Sequence, residues 1–282
     1  KAEAQKFYNK MRDPKDPHPI SYGLNSKLVK KNGKIYEDVY KIDGLYGPAI
    51  KKIVENLEAA CAVAENDTQK DYIQKLIAYY KSGDLRLWDE YNVAWVQDTE
   101  SHIDFVNGFV EDYNDPLGMK ATWEAVVNFK DNEASKRTSI ISDNAQWFED
   151  HSPIDPRFKK KEVKGVSAKV ITVACLAGDC YPATPIGINL PNADWIRKEY
   201  GSKSVTIANI TSAYDKAAEE SPKSALNEFA WDEAEIARAK KYGTLTGDLH
   251  TDLHECLGHG SGQLLPTTPS NSLGEFNSTL EE

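Results

Sequence analysis

Two histidines five positions apart, with a glutamate directly after the first, constrain one stretch of this chain more tightly than any other: His254-Glu255-Cys256-Leu257-Gly258-His259. The familiar helical arrangement for holding zinc, H-E-x-x-H, sets its histidines four apart on one face and uses the glutamate as general base. Here the spacing is one longer, H-E-x-x-G-H. At about 100° per residue, five steps turn an ideal α-helix by roughly 500°, which aims the second ring about 140° away from the first. Both imidazoles can reach one ion only if that turn is deformed, and a single-residue bulge of the π type would do so. Gly258 is the residue at which such a deviation is least costly. The blander reading is a buried helix whose histidines are satisfied by backbone or carboxylate partners. It leaves unused a glutamate standing where metal chemistry needs one.

A catalytic zinc keeps three protein ligands and one open position. His254 and His259 would supply two, and the downstream candidates for the third are Glu275, Glu281 and Glu282. The pair Glu281-Glu282 stands at an apparent helix start that Ser278 or Thr279 could cap. In such a pair one carboxylate can bind the metal while its neighbour orients a ligand imidazole. Without the upstream motif, the pair would read as a solvated helix start favoured by the macrodipole. A rival set also exists, because His250 and His254 are four apart, the ideal spacing on a regular helix. That choice strands Glu255 beside a ligand without a base role. On the first assignment, zinc lowers the pKa of a water from roughly 16 to about 7, and Glu255 takes its proton as it attacks a polarised carbonyl. The same glutamate can pass the proton to the leaving amine, giving amide hydrolysis without a covalent intermediate.

The 282 residues suffice for one large or two ordinary domains. A net charge of -10 argues against a broad basic surface for nucleic acid. There is no run of 18 apolar residues and no opening signal-peptide pattern, so no membrane role is expected and the chain is read as cytoplasmic. Cys61, Cys175, Cys180 and Cys256 are too few for a disulfide scaffold and are read as reduced thiols. Cys175 and Cys180 also miss the spacing of common zinc knuckles, and a disulfide between them is the alternative under oxidising conditions. Lys1 opens without methionine and Glu282 ends in an apparent helix start, which suggests a segment of a longer protein.

Along the chain, Asp13-Pro14, Asp16-Pro17 and the turn Lys31-Asn32-Gly33-Lys34 break up residues 1–46. Ile50, Ile53, Val54, Leu57, Ala60 and Cys61 predict a helix from Pro48, and Tyr72, Ile73, Leu76, Ile77 and Tyr80 predict a second that packs on it. Helical stripes are read over 84–98, 101–113 and 121–148. Strands are predicted at Val166 to Ala174 and Ser204 to Ile207, with an extended Pro-rich loop between them. A helix is predicted over Ala225 to Tyr242, and a turn over Gly243 to Gly247 that leads into the motif helix. Lys159-Lys160-Lys161 reads as a solvated turn.

With these residues in view, the chain resembles the dipeptidyl peptidase III family of zinc exopeptidases, marked by H-E-x-x-G-H followed by a glutamate pair. The resemblance rests on His254 to Gly262 and Glu281-Glu282, and on three further blocks in order. These are Trp95-Val96-Gln97-Asp98, the run from Gly108 to Gly118, and Gly187-Ile188-Asn189-Leu190-Pro191-Asn192. It implies His254, His259 and Glu282 as zinc ligands, Glu255 as base and Glu281 as the residue orienting a ligand histidine. Tyr113 would steady the oxyanion, while Glu111, Asn189 and Asn192 would hold the free amino terminus of a short peptide, so that dipeptides are released from that end. Such roles suit the chemistry, since an ammonium wants a carboxylate and amide oxygens. Taken alone, Glu111 and Tyr113 would read as an exposed helix edge, and Asn189 and Asn192 as turn formers.

The fold implied is α+β and predominantly helical, with two lobes about a central cleft: a helical zinc lobe and a lower lobe with a β-barrel core. Residues 1–131 and 173–218 would belong to the lower lobe, and 132–172 and 219–282 to the zinc lobe. The chain would then work with the remaining segments of its parent protein, and alone it is expected to be inactive or poorly folded. Two other readings are a zinc-dependent peptide-binding protein without turnover, which has no use for Glu255, and a zincin endopeptidase, which does not need Glu111, Asn189 and Asn192 around a free amino terminus.

Overall fold

The computed structural model describes residues 1–163, 166–221, 224–263 and 265. Glu275, Glu281 and Glu282 lie outside the described residues. After helix α1 (Ala2–Asn9), strands β1 (Ser26–Lys31) and β2 (Lys34–Val39) form an antiparallel hairpin. Its tip is Asn32-Gly33, both at positive φ (51° and 76°), the backbone that a two-residue hairpin turn requires.

Three helices follow. These are α2 (Gly47–Cys61), α3 (Asp67–Ser82), capped by the Asn66 side chain accepting from Gln69 N–H, and α4 (Leu85–Gln97), capped in the same way by Asp84. The apolar faces read from the sequence are the buried ones. Ile50, Val54 and Leu57 of α2 join Tyr72, Ile73, Leu76, Tyr79 and Tyr80 of α3 and Trp88, Tyr91 and Trp95 of α4 in one core. Burying each such side chain contributes about 1.5–3 kcal/mol, so this aromatic layer is the main anchor of the helices.

Two stretches read as helical are strands. β3 (Ile103–Phe109) replaces the helix expected over 101–113, and β4 (Trp123–Lys130) opens the region expected to be one long helix over 121–148. Only α5 (Ser135–Asp143) and α6 (Ala145–His151) of that region are helical. The alternation was hidden because several inward positions are not apolar. Asp104 and Gly108 of β3 and Glu124 and Asn128 of β4 face inward, and a Cβ on Gly108 would lie 2.7 Å from Cζ3 of Trp88. The predicted strands stand as β5 (Val166–Gly178) and β7 (Ser202–Ile207), and the loop between them contains strand β6 (Gly187–Leu190) and helix α7 (Asp194–Tyr200).

The five strands β3 to β7 form one mixed sheet in the order β3-β4-β5-β7-β6, with only the β5–β7 pair parallel. Ala174 is skipped in the β4–β5 register, which places a bulge there. The sheet is strongly curled. β3 and β7 lie three strand spacings apart, about 14 Å in a flat sheet, yet Lys203 Nζ of β7 donates to Asp104 Oδ2 of β3 at 2.8 Å. Lys203 is 1% exposed, with its ammonium 4.4 Å from the centroid of the Trp95 ring. Trp95 Nε1–H also donates to Asp104 Oδ1 at 2.9 Å.

Helices α8 (Ala208–Glu220), α9 (Ala225–Phe229) and α10 (Glu233–Leu253) complete the order. The helix read over Ala225 to Tyr242 is broken at Ala230-Trp231-Asp232, where Asp232 caps α10 by accepting from Glu235 N–H. Conversely, the expected turn at Gly243 to Gly247 is absent, because α10 runs through both glycines to Leu253. Lys159 and Lys160 are not freely solvated. Lys159 Nζ donates to the Asp150 and Ser152 carbonyls, and Lys160 Nζ donates to that of Gly260. All four cysteines are free thiols. No helix among the described residues is long and apolar enough to cross a membrane.

Candidate metal centre

Helix α10 does not end where its α-hydrogen bonding stops. His254–Gly258 form a π turn, and His259 N–H donates to the His254 carbonyl at 3.1 Å, the five-residue step that the motif spacing demanded. The widened turn brings the two rings edge to face, with centroids 4.8 Å apart. Gly258 is not forced by this geometry: its φ is not positive, and the nearest atom to an added Cβ is His254 Nδ1 at 4.0 Å.

The turn is held from three sides. Just before it, Asp252 is fully buried and accepts from Arg137 Nε at 2.8 Å and Thr206 Oγ1 at 2.7 Å, which ties the end of α10 to α5 and β7. Within it, the Glu255 carbonyl accepts from Ser204 Oγ at 2.8 Å and Asn189 Nδ2 at 3.3 Å, while Cys256 packs against Ile141, Phe148 and Leu257. After it, Gly262 N–H reaches the buried Glu149 carboxylate at 3.1 Å.

Ligand atoms of His254, Glu255 and His259 all lie within 4.8 Å of one another, the one such group of three donors among the described residues. His250, one turn earlier on α10, is outside that group. The donors fit a divalent cation. The surrounding protein, then Arg197 and His254, push the His259 imidazole down to about 4, so at neutral pH it is an uncharged ring with a free lone pair. Glu255 is only 5% exposed, and its Oε2 has no hydrogen-bond partner. Burial lifts this carboxyl to about 7 against the pull of Arg197. An orphaned buried oxygen beside two imidazoles is what a proton acceptor next to a metal would present before its ligands arrive.

A second group of expected residues gathers around Arg197 of α7. Its guanidinium donates to the Pro191 carbonyl at 2.6 Å, the Asn189 carbonyl at 2.9 Å and Asn192 Oδ1 at 3.3 Å. Asn192 Nδ2 donates in turn to Glu111 Oε1 at 3.2 Å. Burial raises the Glu111 carboxyl, while its bonds to Asn192 and Tyr113 draw it back. Tyr113 lies beside it with 64% of its surface exposed. Asn189 is buried and points its amide hydrogens inward at Ser202 Oγ, Ser204 Oγ and the Glu255 carbonyl, leaving its Oδ1 unpartnered.

The sequence reading missed Asp252, Ser204, Thr206 and Arg197. Only Asp252 carried a local signal, an acid two residues before the motif. Ser204 and Thr206 act through partners about fifty positions away, and Arg197 acts on a loop only five to eight residues before it whose course the sequence does not reveal.

A family profile described as peptidase family M49 matches residues 23–281. Dipeptidyl peptidase 3 of Dictyostelium discoideum is 30% identical over 243 residues, covering 84% of this chain and 33% of that protein. Human dipeptidyl peptidase 3 is 29% identical over 235 residues, 83% of this chain and 30% of that protein. Among solved structures, DPP III from Caldithrix abyssi superposes with a TM-score of 0.70 at 24% identity, over 86% of this chain and 44% of that one. The chain thus spans about a third of the length of the curated relatives it matches. The chain belongs to peptidase family M49.

Proposed function

We propose that the protein of which this chain is part is a zinc-dependent exopeptidase that releases dipeptides from the amino-terminal end of short peptides. The observation that carries this is the π turn, which sets His254, Glu255 and His259 within 4.8 Å of one another and leaves a buried Glu255 oxygen without a partner. His254 and His259 would hold the ion with Glu282, and Glu281 would orient one of the imidazoles. Zinc, when bound, supplies a Lewis acid for the scissile carbonyl and acidifies water.

The chain's own residues do the rest. Glu255 takes the proton of the attacking water and delivers it to the leaving amine, a task suited to a carboxyl raised to about 7. Glu111 and Asn192, already in one hydrogen-bonded string, would receive the substrate's ammonium group. The free Oδ1 of Asn189 would accept from the same end of the peptide. Tyr113 would donate to the developing oxyanion. The two-lobed arrangement with a barrel core belongs to the same proposal.

The full-length parent should cleave a short peptide with a free amino terminus, lose that activity to a chelator, and spare the acetylated peptide. Glu255→Ala should keep zinc and lose on the order of 10²- to 10⁴-fold in kcat, the usual size of a general-base contribution. Chelator-insensitive cleavage would remove the metal mechanism, and equal cleavage of the acetylated peptide would remove the exopeptidase reading. Zinc binding with no cleavage of either peptide would leave a binding protein.

A further inference from the structure

The Glu255 side chain lies against a gap in strand β6. A Cβ built on Gly187 would stand 2.6 Å from Glu255 Cδ and 2.8 Å from Cγ, and nearer still to Oε1. All three nearest atoms belong to that one side chain. Gly187 itself is fixed by the sheet, paired across from Thr206 of β7, which in turn donates to Asp252 just ahead of the motif. The Glu255 backbone is equally fixed, since its carbonyl is gripped by Ser204 and Asn189 and its neighbour Cys256 is packed below. Neither backbone can yield cheaply, so any atom added at position 187 must be accommodated by rotation of the Glu255 side chain.

We propose that Gly187 is a positioning residue for Glu255: its missing side chain is the space in which the carboxylate is seated beside His254 and His259. The inference rests on the assignment of Glu255 as the base. Ordinary carbon contacts lie near 3.5–4.0 Å, so an alanine at 187 displaces the carboxylate by about 1 Å. A misplacement of that size costs on the order of 100-fold in rate. Neither histidine supplies any of the three atoms nearest the added methyl, so zinc should still bind.

In the full-length parent, Gly187→Ala should lower kcat about 100-fold with KM changed less than about threefold. Zinc affinity, read by competition with a chromophoric chelator, should stay within about threefold of the native protein, since the ligands are untouched. Thermal stability provides the second arm, as a double-mutant cycle. Gly187→Ala should lower Tm in the native background and cost little or nothing in the Glu255→Ala background, because the obstructing side chain is gone. Should Gly187→Ala alone fold poorly, the double variant should fold well. Equal losses of Tm in both backgrounds, or activity within about threefold of native, overturn the proposal. So does a loss of zinc affinity parallel to the loss of activity, which would mean that the whole turn moved. If the parent hydrolyses no peptide, the functional reading falls, while the Tm cycle still decides whether Gly187 seats Glu255.

Discussion

Arg137 bridges two aspartates one helical turn apart on α10, and cutting each bridge separately tests what anchors the metal turn. Its Nε meets Asp252 at 2.8 Å and its Nη1 meets Asp248 at 3.1 Å. The two bridges differ mainly in burial: Asp252 is 0% exposed and also accepts from Thr206, whereas Asp248 is about a quarter exposed. Breaking a buried pair by removing one partner costs about 3–5 kcal/mol. Arg137 keeps Asp248 and some solvent, so the lower end of that range, about 3 kcal/mol, is expected for Asp252→Ala. Asp248→Ala removes a partly exposed pair worth about 0.5–1 kcal/mol. At about 2 °C per kcal/mol for a unit of roughly 280 residues that melts cooperatively, the transition of this segment within the parent should fall about 6 °C for Asp252→Ala and about 1–2 °C for Asp248→Ala. Circular dichroism melts of the parent protein measure this. Chelator competition should also find weaker zinc binding in Asp252→Ala, whose lesion lies two residues before His254. Melts that coincide within about 1 °C, or undiminished zinc affinity in Asp252→Ala, would refute the idea that this buried bridge fixes the turn.

Asp89 is buried with Oδ2 unpartnered, and burial pushes its carboxyl up to about 7 from 3.8. The folded state therefore holds this proton more tightly than the unfolded state, and stability is lost as pH rises from about 4 through 7, by at most about 4 kcal/mol. Denaturation between pH 5 and 8 should find a shallower loss in Asp89→Asn, and an unchanged slope would contradict the assignment. Lys203→Met should cost about 3 kcal/mol by leaving Asp104 buried and uncompensated, and adding Asp104→Asn should recover part of it; a double variant no better than the single would contradict that. Zinc at 100 times its Kd should stabilise the parent by about 2.7 kcal/mol. His254→Ala and His259→Ala should each weaken that gain, and His250→Ala should not; the reverse pattern would favour the regular-helix pair.

The shape of the motif turn was legible because it is local: the spacing of His254 and His259 demanded a deformed turn, and that turn is present. Helices α2, α3 and α4 were legible for the same reason, since their apolar stripes face one core. β3 and β4 were not, because their inward positions carry Asp104, Gly108, Glu124 and Asn128, and the partners of Asp104 and Glu124 lie on other elements. A polar residue facing inward reads as outward until its partner is known. Ser204 and Thr206 were invisible as supports for a similar reason: each meets the motif across about fifty positions of sequence. Gly187 lay inside a block noted for its asparagines, yet nothing in the linear order says that a glutamate 68 positions later needs its space.

Cys256 adds a chemical timer to the turn. It sits one residue from Glu255, 2% exposed among Ile141, Phe148 and Leu257, and burial, with the nearby carboxylates, pushes its thiol up to about 12. In that state it is protonated and shielded, so alkylating reagents should pass it by while they label the exposed Cys175 at once. Each excursion of the turn from its bed would free Cys256 to ionise near its ordinary pKa and react. With Cys175 and the half-buried Cys61 replaced, the slow labelling rate read at Cys256 itself would count how often the two histidines and the glutamate come apart.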